Sequence, residues 1–454
     1  MAKHKHRTKR FKVTELPPQL RHVNLNAAGI DIGSDRQLVA VPPRGDDVSV
    51  REFGSFTADL NALADWLSKC GVTTVAMEST GVYWVPLFEI LERGGFEVKL
   101  VDARQVKNVS GRKSDVLDCQ WLQQLHTYGL LAGAFRPPDE ICVLRGYMRQ
   151  REMLVQTASM HIQHMQKALQ QMNLLLHNVV SDITGVTGMK ILKALLAGER
   201  DPQRLASQRH ERCRSSAETI AKSLVGNYRE EHLFALSQAV SLYETYQAKI
   251  AECEAAIVGY LNQQPNRTDE EPPPGAKSVR NRDRLRAGVD VRSQLYKMTG
   301  VDLFNLPGLA ADTLLTLAAE VGFDMTPWRS EKHFTSWLAL CPGTNKSNGK
   351  VLSRKTKRSA NRAAAAFRLG AASLSRSKTA LGAFYRRIRV RVGPAEAVTA
   401  TARKLAVLYY SLLKHGSTYV EIGQTAYEHN YQQRRLNSIQ KQALTMGYQL
   451  VPLN

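Results

Sequence analysis

Four acidic residues near the start of the chain have the types and surroundings that metal-dependent chemistry requires. Asp31 lies inside the apolar run GIDIG, and Glu78 ends the run VTTVAME. Asp115 and Asp118 follow in SDVLD, three residues apart, which places both carboxylates on one face of a helix. An acid inside a buried strand is costly unless it is paired or binds a metal. Together such carboxylates can hold two Mg²⁺ ions that activate an attacking oxygen and stabilise a leaving one.

Each acid also has an ordinary structural explanation. Asp31 could close a turn with Gly33, and Glu78 could cap the helix that follows it. Asp115 suits the positive end of a helix dipole, and Asp118 could be a solvated helix residue. The ordered set of four on strands and a helix favours the metal-binding interpretation over these separate explanations.

A serine in the second half of the chain is the other group that could do chemistry. Ser347 lies in NKSNGK, between Lys346 and Lys350. A nucleophilic serine needs a base or a metal to remove its proton, and no histidine is adjacent. Without that activation, Ser347 would only hydrogen-bond a phosphate. The metal site of the acids could supply the activation if both act on one phosphate.

The charge of the chain points to a polyanionic partner. Lys and Arg number 62 against 41 Asp and Glu in 454 residues, a formal charge of +21. Between Thr344 and Arg391 there are 14 basic residues and no acid, which favours a nucleic-acid groove over a solvated face. Few aromatic residues fall in this stretch, so contact with the nucleic-acid backbone is expected rather than base stacking. The candidate contacts are Lys346, Lys350, Arg354, Lys355, Lys357, Arg358 and Arg362, with Arg112 and Lys113 beside the acids.

Other function classes receive no support from the composition. The 43% of hydrophobic residues can bury a sizeable core, and the length suggests two to four domains. There is no long apolar run, so we expect no membrane partner. The six cysteines form no CxxC pair, which argues against a zinc ribbon and fits a reducing cytoplasm. The basic segment 1–12 lacks the apolar stretch of a secretory signal.

The elements that must position the acids form an alternating pattern. The sequence predicts strands at 28–42, with a turn at Gly33-Ser34, and at 48–56, 72–78 and 96–102, with helices at 59–69, 82–93 and 115–130. Alternation of this kind predicts a mixed sheet with helices packed on it.

The remainder of the chain has a helical pattern. A long helix, typical of one arm of a coiled coil, is predicted over 141–182 and a second helical stretch over 205–262, with a glycine-containing break at 184–190. A proline-rich linker follows from 263, and the part from 295 onward is predicted to be mostly helical. A turn and an amphipathic helix at 302–321 fit half of a helix-hairpin-helix or an ordinary helix start. The expected fold class is therefore α/β followed by α.

Long ordered strings in both halves resemble one family. DIGSD, MESTGVYW and KSDVLDCQWL resemble the amino-terminal domain of the IS110/IS1111-type insertion-sequence transposases. LCPGTNKSNGKVLSRKT resembles their carboxy-terminal domain. The resemblance implies a RuvC-like, RNase H-fold domain whose Asp–Glu–Asp–Asp set falls on Asp31, Glu78, Asp115 and Asp118. It also implies that Ser347, with Ser353 as the nearest rival, is a DNA nucleophile. One residue departs from the pattern, because Asn348 stands where glycine is common.

The resemblance implies a complete functional hypothesis. The chain would be an RNA-guided recombinase that cleaves, exchanges and rejoins target and donor DNA through a 5′-phosphoserine intermediate, with Mg²⁺ or Mn²⁺ at the acids. A structured bridge RNA would set specificity. The expected assembly is a tetramer, a dimer of dimers in which the acids and Ser347 meet across protomers, in the cytoplasm and associated with the nucleoid.

Composition and periodicity, together with the resemblance, predict a division into domains. A basic tail (1–25), the RuvC-like domain (26–140) and a helical oligomerisation region (141–262) precede a linker (263–294), the serine domain (295–430) and a tail (431–454).

Two other function classes stay open at this point. A metal-dependent nuclease or junction resolvase would use the acids alone, without a covalent intermediate. A non-enzymatic nucleic-acid-binding protein with a dead RNase H fold need not keep four acids in order, which argues against it.

Overall fold

The structure is a computed structural model. It describes residues 24–43, 48–79, 81–102, 115–274, 285, 290–348, 350–353, 355–357, 359–416 and 419–451. For Asp115, Asn345 and Lys346 it describes the backbone but not the side chain. The chain divides into two compact units, which meet in sequence between Arg136 and Pro137, and each is considered by itself.

A five-stranded mixed sheet forms the centre of the first unit. Its strands are β1 (Ala27–Ile32), β2 (Arg36–Ala40), β3 (Val50–Gly54), β4 (Thr74–Glu78) and β5 (Glu97–Val101). The strand order is β3-β2-β1-β4-β5; β1, β2 and β3 pair antiparallel, and β4 pairs parallel with both β1 and β5. The predicted mixed sheet is confirmed. The region 28–42 holds two strands because the chain reverses at Gly33, whose N–H donates to the Arg36 carbonyl at 3.0 Å.

Helices cover both faces of this sheet. Helices α1 (Thr57–Lys69) and α2 (Trp84–Arg93) pack on one face, where Leu63 and Leu91 are fully buried. Helix α3 (Asp115–Thr127) packs on the other face through Cys119 and Leu122. The predicted positions of all three helices agree with these bounds to within a few residues.

Two long antiparallel helices form the first part of the second unit. Helices α4 (Asp139–Gln171) and α9 (Glu230–Asn262) each have 33 residues. Their pairing is antiparallel because Arg151 Nη2 meets Glu254 Oε1 at 2.7 Å, whereas His161, further along α4, stacks on Tyr246, earlier in α9. The predicted helix over 141–182 is too long. It ends at Gln171, and Asn173 then adopts a left-handed conformation (φ 57°) that a helix cannot continue through.

Four shorter helices lie between these two in the sequence. They are α5 (Leu176–Val179), α6 (Val186–Leu196), α7 (Pro202–Ser207) and α8 (Ala217–Ser223). The predicted break at 184–190 is wrong from Val186 onward, where the chain is helical. Gly188 is required there for close packing, since a Cβ would lie 2.1 Å from the Ile183 carbonyl oxygen. The second predicted helical stretch is divided into three helices.

The rest of the second unit is mostly helical, as predicted. It contains α10 (Val291–Thr299), a 3₁₀ turn (Leu303–Asn305), α11 (Ala311–Val321), α12 (Glu331–Trp337), strands β6 (Asn345–Ser347) and β7 (Lys350–Ser353), then α13 (Arg362–Ser373), a second 3₁₀ turn (Leu374–Arg376), α14 (Ala380–Val392), α15 (Pro394–His415) and α16 (Gly423–Thr445). An aromatic core joins these helices, with Phe334, Phe367 and Tyr409 fully buried. Helix α16 continues through the residues expected to begin a tail at 431. None of the described helices is long and apolar enough to cross a membrane.

Candidate active site

Two of the acids lie side by side on the central strands of the sheet. The parallel register pairs Ile30 of β1 with Met77 of β4, so Asp31 and Glu78 occupy the next position on each strand. Both side chains are half-buried. Because side chains alternate along a strand, Glu78 shares the sheet face of Ala76, which packs against Leu122 of α3. The sheet therefore directs both carboxylates towards the face that α3 covers.

Gly29 allows helix α3 to approach the strand that carries Asp31. A Cβ at Gly29 would lie 2.3 Å from the backbone nitrogen of Gln123 and 2.4 Å from the carbonyl oxygen of Cys119, so only glycine fits. Asp31 is two residues further along β1 and shares this face. Gly29, the first glycine of GIDIG, is thus a packing residue that sets the distance between β1 and α3.

Asp118, which is half-buried, and Asp31 both lie near the buried Cys119 of α3. Burial, followed by the negative charges of Asp31 and Asp118, raises the pKa of the Cys119 thiol to about 12. Its Sγ also contacts the Val116 carbonyl oxygen at 3.2 Å. The thiol is therefore protonated at neutral pH, which leaves carboxylate oxygens as the charged donors here. Oxygen donors suit a hard cation such as Mg²⁺.

The candidate metal site is incomplete among the residues that the structure describes. Among those residues, no three acidic, histidine or cysteine side chains form a cluster that could already hold a metal ion. The backbone of Asp115 begins α3, one helical turn before Asp118, but its side chain lies outside the described residues. The structure thus brings Asp31, Glu78 and Asp118 to one face of the sheet, with donor types that fit Mg²⁺.

A histidine that the sequence analysis did not single out anchors α3 to the sheet. His126 Nε2 lies 2.8 Å from Thr74 Oγ1 at the start of β4, and the side chain is buried. Burial, together with the charge of Lys99, lowers the pKa of His126 to about 4. The ring is therefore neutral near pH 7. The available signal was a histidine on the apolar face of a predicted helix, which does not distinguish an anchor from a ligand.

Ser347 lies at the tip of a β-hairpin. The composition of NKSNGK predicts a loop, but Ser347 ends β6 and pairs with Lys350, the first residue of β7. Its side chain is exposed, and no described residue hydrogen-bonds its Oγ. Asn348 adopts a left-handed conformation (φ 46°), which explains why glycine is common at this position and why asparagine can replace it.

The basic residues predicted to contact nucleic acid have different environments. Lys350, Lys355 and Lys357 are exposed around the hairpin. Arg362, at the start of α13, is exposed but forms an ion pair with Glu152 of α4. The predicted contacts Arg112, Lys113, Arg354 and Arg358, and the side chain of Lys346, lie outside the described residues.

Ion pairs connect the long helix α4 to α9 and α11. The Nε and Nη2 atoms of Arg149 each donate a hydrogen bond to the Glu320 carboxylate of α11 at 2.9 Å. The buried Arg151 contacts Glu254 of α9 at 2.7 Å and Asp312 of α11 at 2.9 Å. Charged residues buried to this degree need such pairing. Helices α4, α9 and α11 are thus firmly connected to one another.

Models of known protein families match both the region of the acids and the region of Ser347. A family model of the IS110 DEDD type, described as Transposase, matches residues 28–174, which include all four acids. A second model, described as Transposase IS116/IS110/IS902 family, matches residues 302–386, which include Ser347. The chain belongs to the IS110 family of transposases. The two matches cover slightly more than half of this transposase, and they confirm the predicted family. No curated protein matches the chain.

Proposed function

We propose that this transposase cuts and rejoins DNA with Ser347 as the nucleophile and with Asp31, Glu78, Asp115 and Asp118 as the ligands of Mg²⁺, for which Mn²⁺ can substitute. The family supports a transposase that recombines the DNA of an insertion sequence. The observation that carries the proposal is the exposure of Ser347 at a hairpin tip within a strongly basic segment. A nucleophile for a DNA phosphate must be accessible to it.

The exposure of Ser347 also favours it over its rival. Ser353 is half-buried, and its Oγ accepts a hydrogen bond from the Lys355 N–H at 3.3 Å. A hydroxyl that accepts a hydrogen bond from the local backbone is less free to attack a phosphate. The exposed Lys350 and Lys355 would hold the DNA backbone beside Ser347.

The proposed reaction conserves the energy of the phosphodiester bond. Ser347 loses its proton to a base as Oγ attacks phosphorus, and the bond to the 3′ oxygen breaks. The 3′ oxygen takes up a proton, and the 5′ phosphate stays attached to Ser347. Attack by a 3′ hydroxyl of another strand reverses these steps and releases the serine.

The first unit would supply the metal-binding groups. Its mixed sheet, with acids on two adjacent parallel strands and on a helix that covers them, supports a RuvC-like RNase H-type domain. Mg²⁺ bound by these acids would stabilise the charge that develops on the phosphate oxygens. Asp31 and Glu78 are positioned by strand register, and Asp118 is positioned by the close contact of α3 with Gly29.

Guidance by a structured bridge RNA and assembly as a tetramer, a dimer of dimers, complete the proposal. The charge of +21 is large enough for a protein that holds both RNA and DNA backbones. The antiparallel helix pair α4 and α9 presents exposed apolar side chains, among them Met153, Met160 and Phe234, that suit contacts between protomers.

The test is a search for a covalent protein–DNA adduct on a denaturing gel. The purified transposase would be mixed with the RNA transcribed from the flank of its element, labelled target and donor DNA, and Mg²⁺. We expect an adduct with the wild-type protein that is absent with Ser347→Ala and with Asp118→Ala. Ser353→Ala is the matched control and should still form the adduct.

Two outcomes would contradict the proposal. Cleavage that survives Ser347→Ala without any adduct would show a metal-dependent nuclease or junction resolvase that uses the acids alone. Adduct formation that proceeds equally without the RNA would show recombination that is not guided by RNA.

A further inference from the structure

The C-terminal helix brings aromatic rings onto the basic helix α14. Arg387 of α14 stacks on Tyr431 of α16, with the guanidinium carbon 3.7 Å from the ring centre. The rings of Phe384 and Tyr427 lie 5.5 Å and 5.3 Å from the same carbon. The guanidinium therefore lies against Tyr431 with two further rings nearby, and an arginine stacked on a ring keeps its N–H edge available for directional hydrogen bonds.

A small cleft opens between these two helices. It has a volume of about 280 Å³ and is lined by Arg386, Arg387, Val390, Glu428 and Tyr431, among others. Ligand pockets for drug-sized molecules begin at roughly 300 Å³, so the cleft admits a group the size of a phosphate or one base. A nucleic-acid duplex is far too wide to enter it.

Three cations at or near the cleft have no acidic partner among the residues that the structure describes. Among the described residues, Arg387, Lys404 and Arg434 form no ion pair, and the Nη1 of Arg387 is buried without a hydrogen-bond partner. Partial burial, followed by the charges of Arg387 and Arg434, lowers the pKa of Lys404. Crowded cations of this kind are stabilised by an anion.

The other charged groups of the cleft are already engaged. Arg386 donates to the carbonyl oxygens of Ser375 and Ser377 at 3.3 Å and 2.7 Å, and to Gln424 Oε1 at 2.7 Å. Glu428 accepts a hydrogen bond from Gln424 Nε2 at 2.8 Å. Arg387 is thus the cleft-lining cation with an unsatisfied donor among the described residues.

We propose that the cleft between α14 and α16 binds unpaired nucleotides of a single-stranded nucleic acid, with Arg387 donating to a backbone phosphate. Guanidinium groups stacked on aromatic rings present their N–H groups in the plane that phosphate oxygens match. Tyr431, which is 37% exposed, adds a ring surface at the rim of the cleft for a base. The site does not depend on the role proposed for Ser347.

The test measures binding of a fluorescein-labelled single-stranded oligonucleotide of about 16 nucleotides by fluorescence anisotropy over a series of salt concentrations. We expect Arg387→Gln to weaken binding about tenfold and to reduce the salt slope by roughly 0.7, the value for one phosphate contact on a single strand. Tyr431→Leu should weaken binding about fivefold or more, which is the loss of one stacked base.

Arg389→Gln is the matched control, because Arg389 is exposed on the same helix and does not line the cleft. Arg387→Lys keeps the charge and loses the planar fork, so its affinity should fall between those of the wild type and Arg387→Gln. This second variant tests the contact even if Arg387→Gln folds poorly.

Three results would overturn the proposal. Arg387→Gln could match Arg389→Gln in affinity and salt slope. Arg387→Lys could bind as tightly as the wild type. Inorganic phosphate, added at constant ionic strength, could remove the Arg387-dependent part of the binding, which would show a site for small free anions instead of a nucleic-acid backbone.

Discussion

The acids of the first unit and the serine of the second are positioned in opposite ways. Asp31 lies on a strand that is paired on both sides and pressed against a helix at Gly29. Ser347 lies on a two-stranded hairpin whose described side chains are mostly exposed. The core of the first unit therefore fixes the acids, whereas a turn and a few backbone hydrogen bonds fix the serine.

This difference indicates how each group would respond to substitution. An isolated two-stranded hairpin is only marginally stable, so changes near Ser347 should affect activity more than folding. Changes beneath the acids should affect folding and activity together. Three sets of substitutions and one change of pH test this contrast.

Gly29→Ala should destabilise the first unit by about 3 kcal/mol or more, because its Cβ would overlap the backbone of α3. Hydrogen exchange of peptides from β1 and α3 measures this locally, which suits a chain with two units. Gly146→Ala is the control. That position lies in α4 with no atom within 4 Å of a new Cβ, so helix propensity should stabilise it by about 1 kcal/mol. Equal exchange in both variants would show that Gly29 does not set the strand–helix distance.

Glu254→Ala should destabilise the second unit by about 3 kcal/mol, because Arg151 would stay buried without its main partner. Urea unfolding followed by helical circular dichroism measures the change. Glu152→Ala removes the exposed partner of Arg362 and should cost less than about 1 kcal/mol. If the two variants were equally stable, the buried ion pair would contribute no more to the stability of the second unit than the exposed one does.

The first unit should lose stability as the pH falls from about 6.5 to about 4. Burial holds the pKa of His126 at about 4 in the folded chain, whereas the unfolded chain has the ordinary value of 6.5. Between these values the unfolded chain binds a proton that the folded chain does not, so the free energy of unfolding decreases by at most about 1.4 kcal/mol per pH unit. The amide hydrogens of peptides from α3 should exchange faster at pH 5 than at pH 7, after correction for the intrinsic exchange rates. His126→Gln should remove most of this dependence; a dependence that persists would assign it to other groups.

Asn348→Gly should change stability by less than about 1 kcal/mol, because glycine adopts the left-handed conformation readily. Asn348→Val places a β-branched residue in that conformation and should cost about 1–2 kcal/mol locally. The yield of the Ser347 adduct is the informative measurement: we expect it to survive in the glycine variant and to fall in the valine variant. Equal yields would show that the turn does not position the serine.

Much of the first unit could be predicted from its sequence, because local patterns there agree with the fold. Apolar and β-branched runs marked the strands that carry Asp31 and Glu78, and the spacing of SDVLD marked the start of α3. The adjacency of the two strands, and the contact at Gly29, depend on pairing between distant segments. No local pattern reports such pairing.

The second unit shows where local patterns fail. NKSNGKVLS lacks the alternation of a half-buried strand, so the hairpin was not predicted. Gly188 lies in the predicted break, but in the structure it lies within a helix and permits close contact with Ile183. The low aromatic content between Thr344 and Arg391 could not indicate that Tyr427 and Tyr431, from outside this segment, lie against its Arg387.

The long helices have a mechanical consequence. Each of the 33-residue helices α4 and α9 is about 50 Å long, and the ion pairs of Arg149 and Arg151 clamp them to α11 near one end. The far end packs instead into a separate core with the four short helices. Such a rod would act as a lever with its fulcrum at the clamp: the arm of α4 beyond Arg151 is about 30 Å long, so a tilt of about 5° would displace its far end by roughly 3 Å. A small adjustment at the α11 end would thus produce a larger displacement at the distal end.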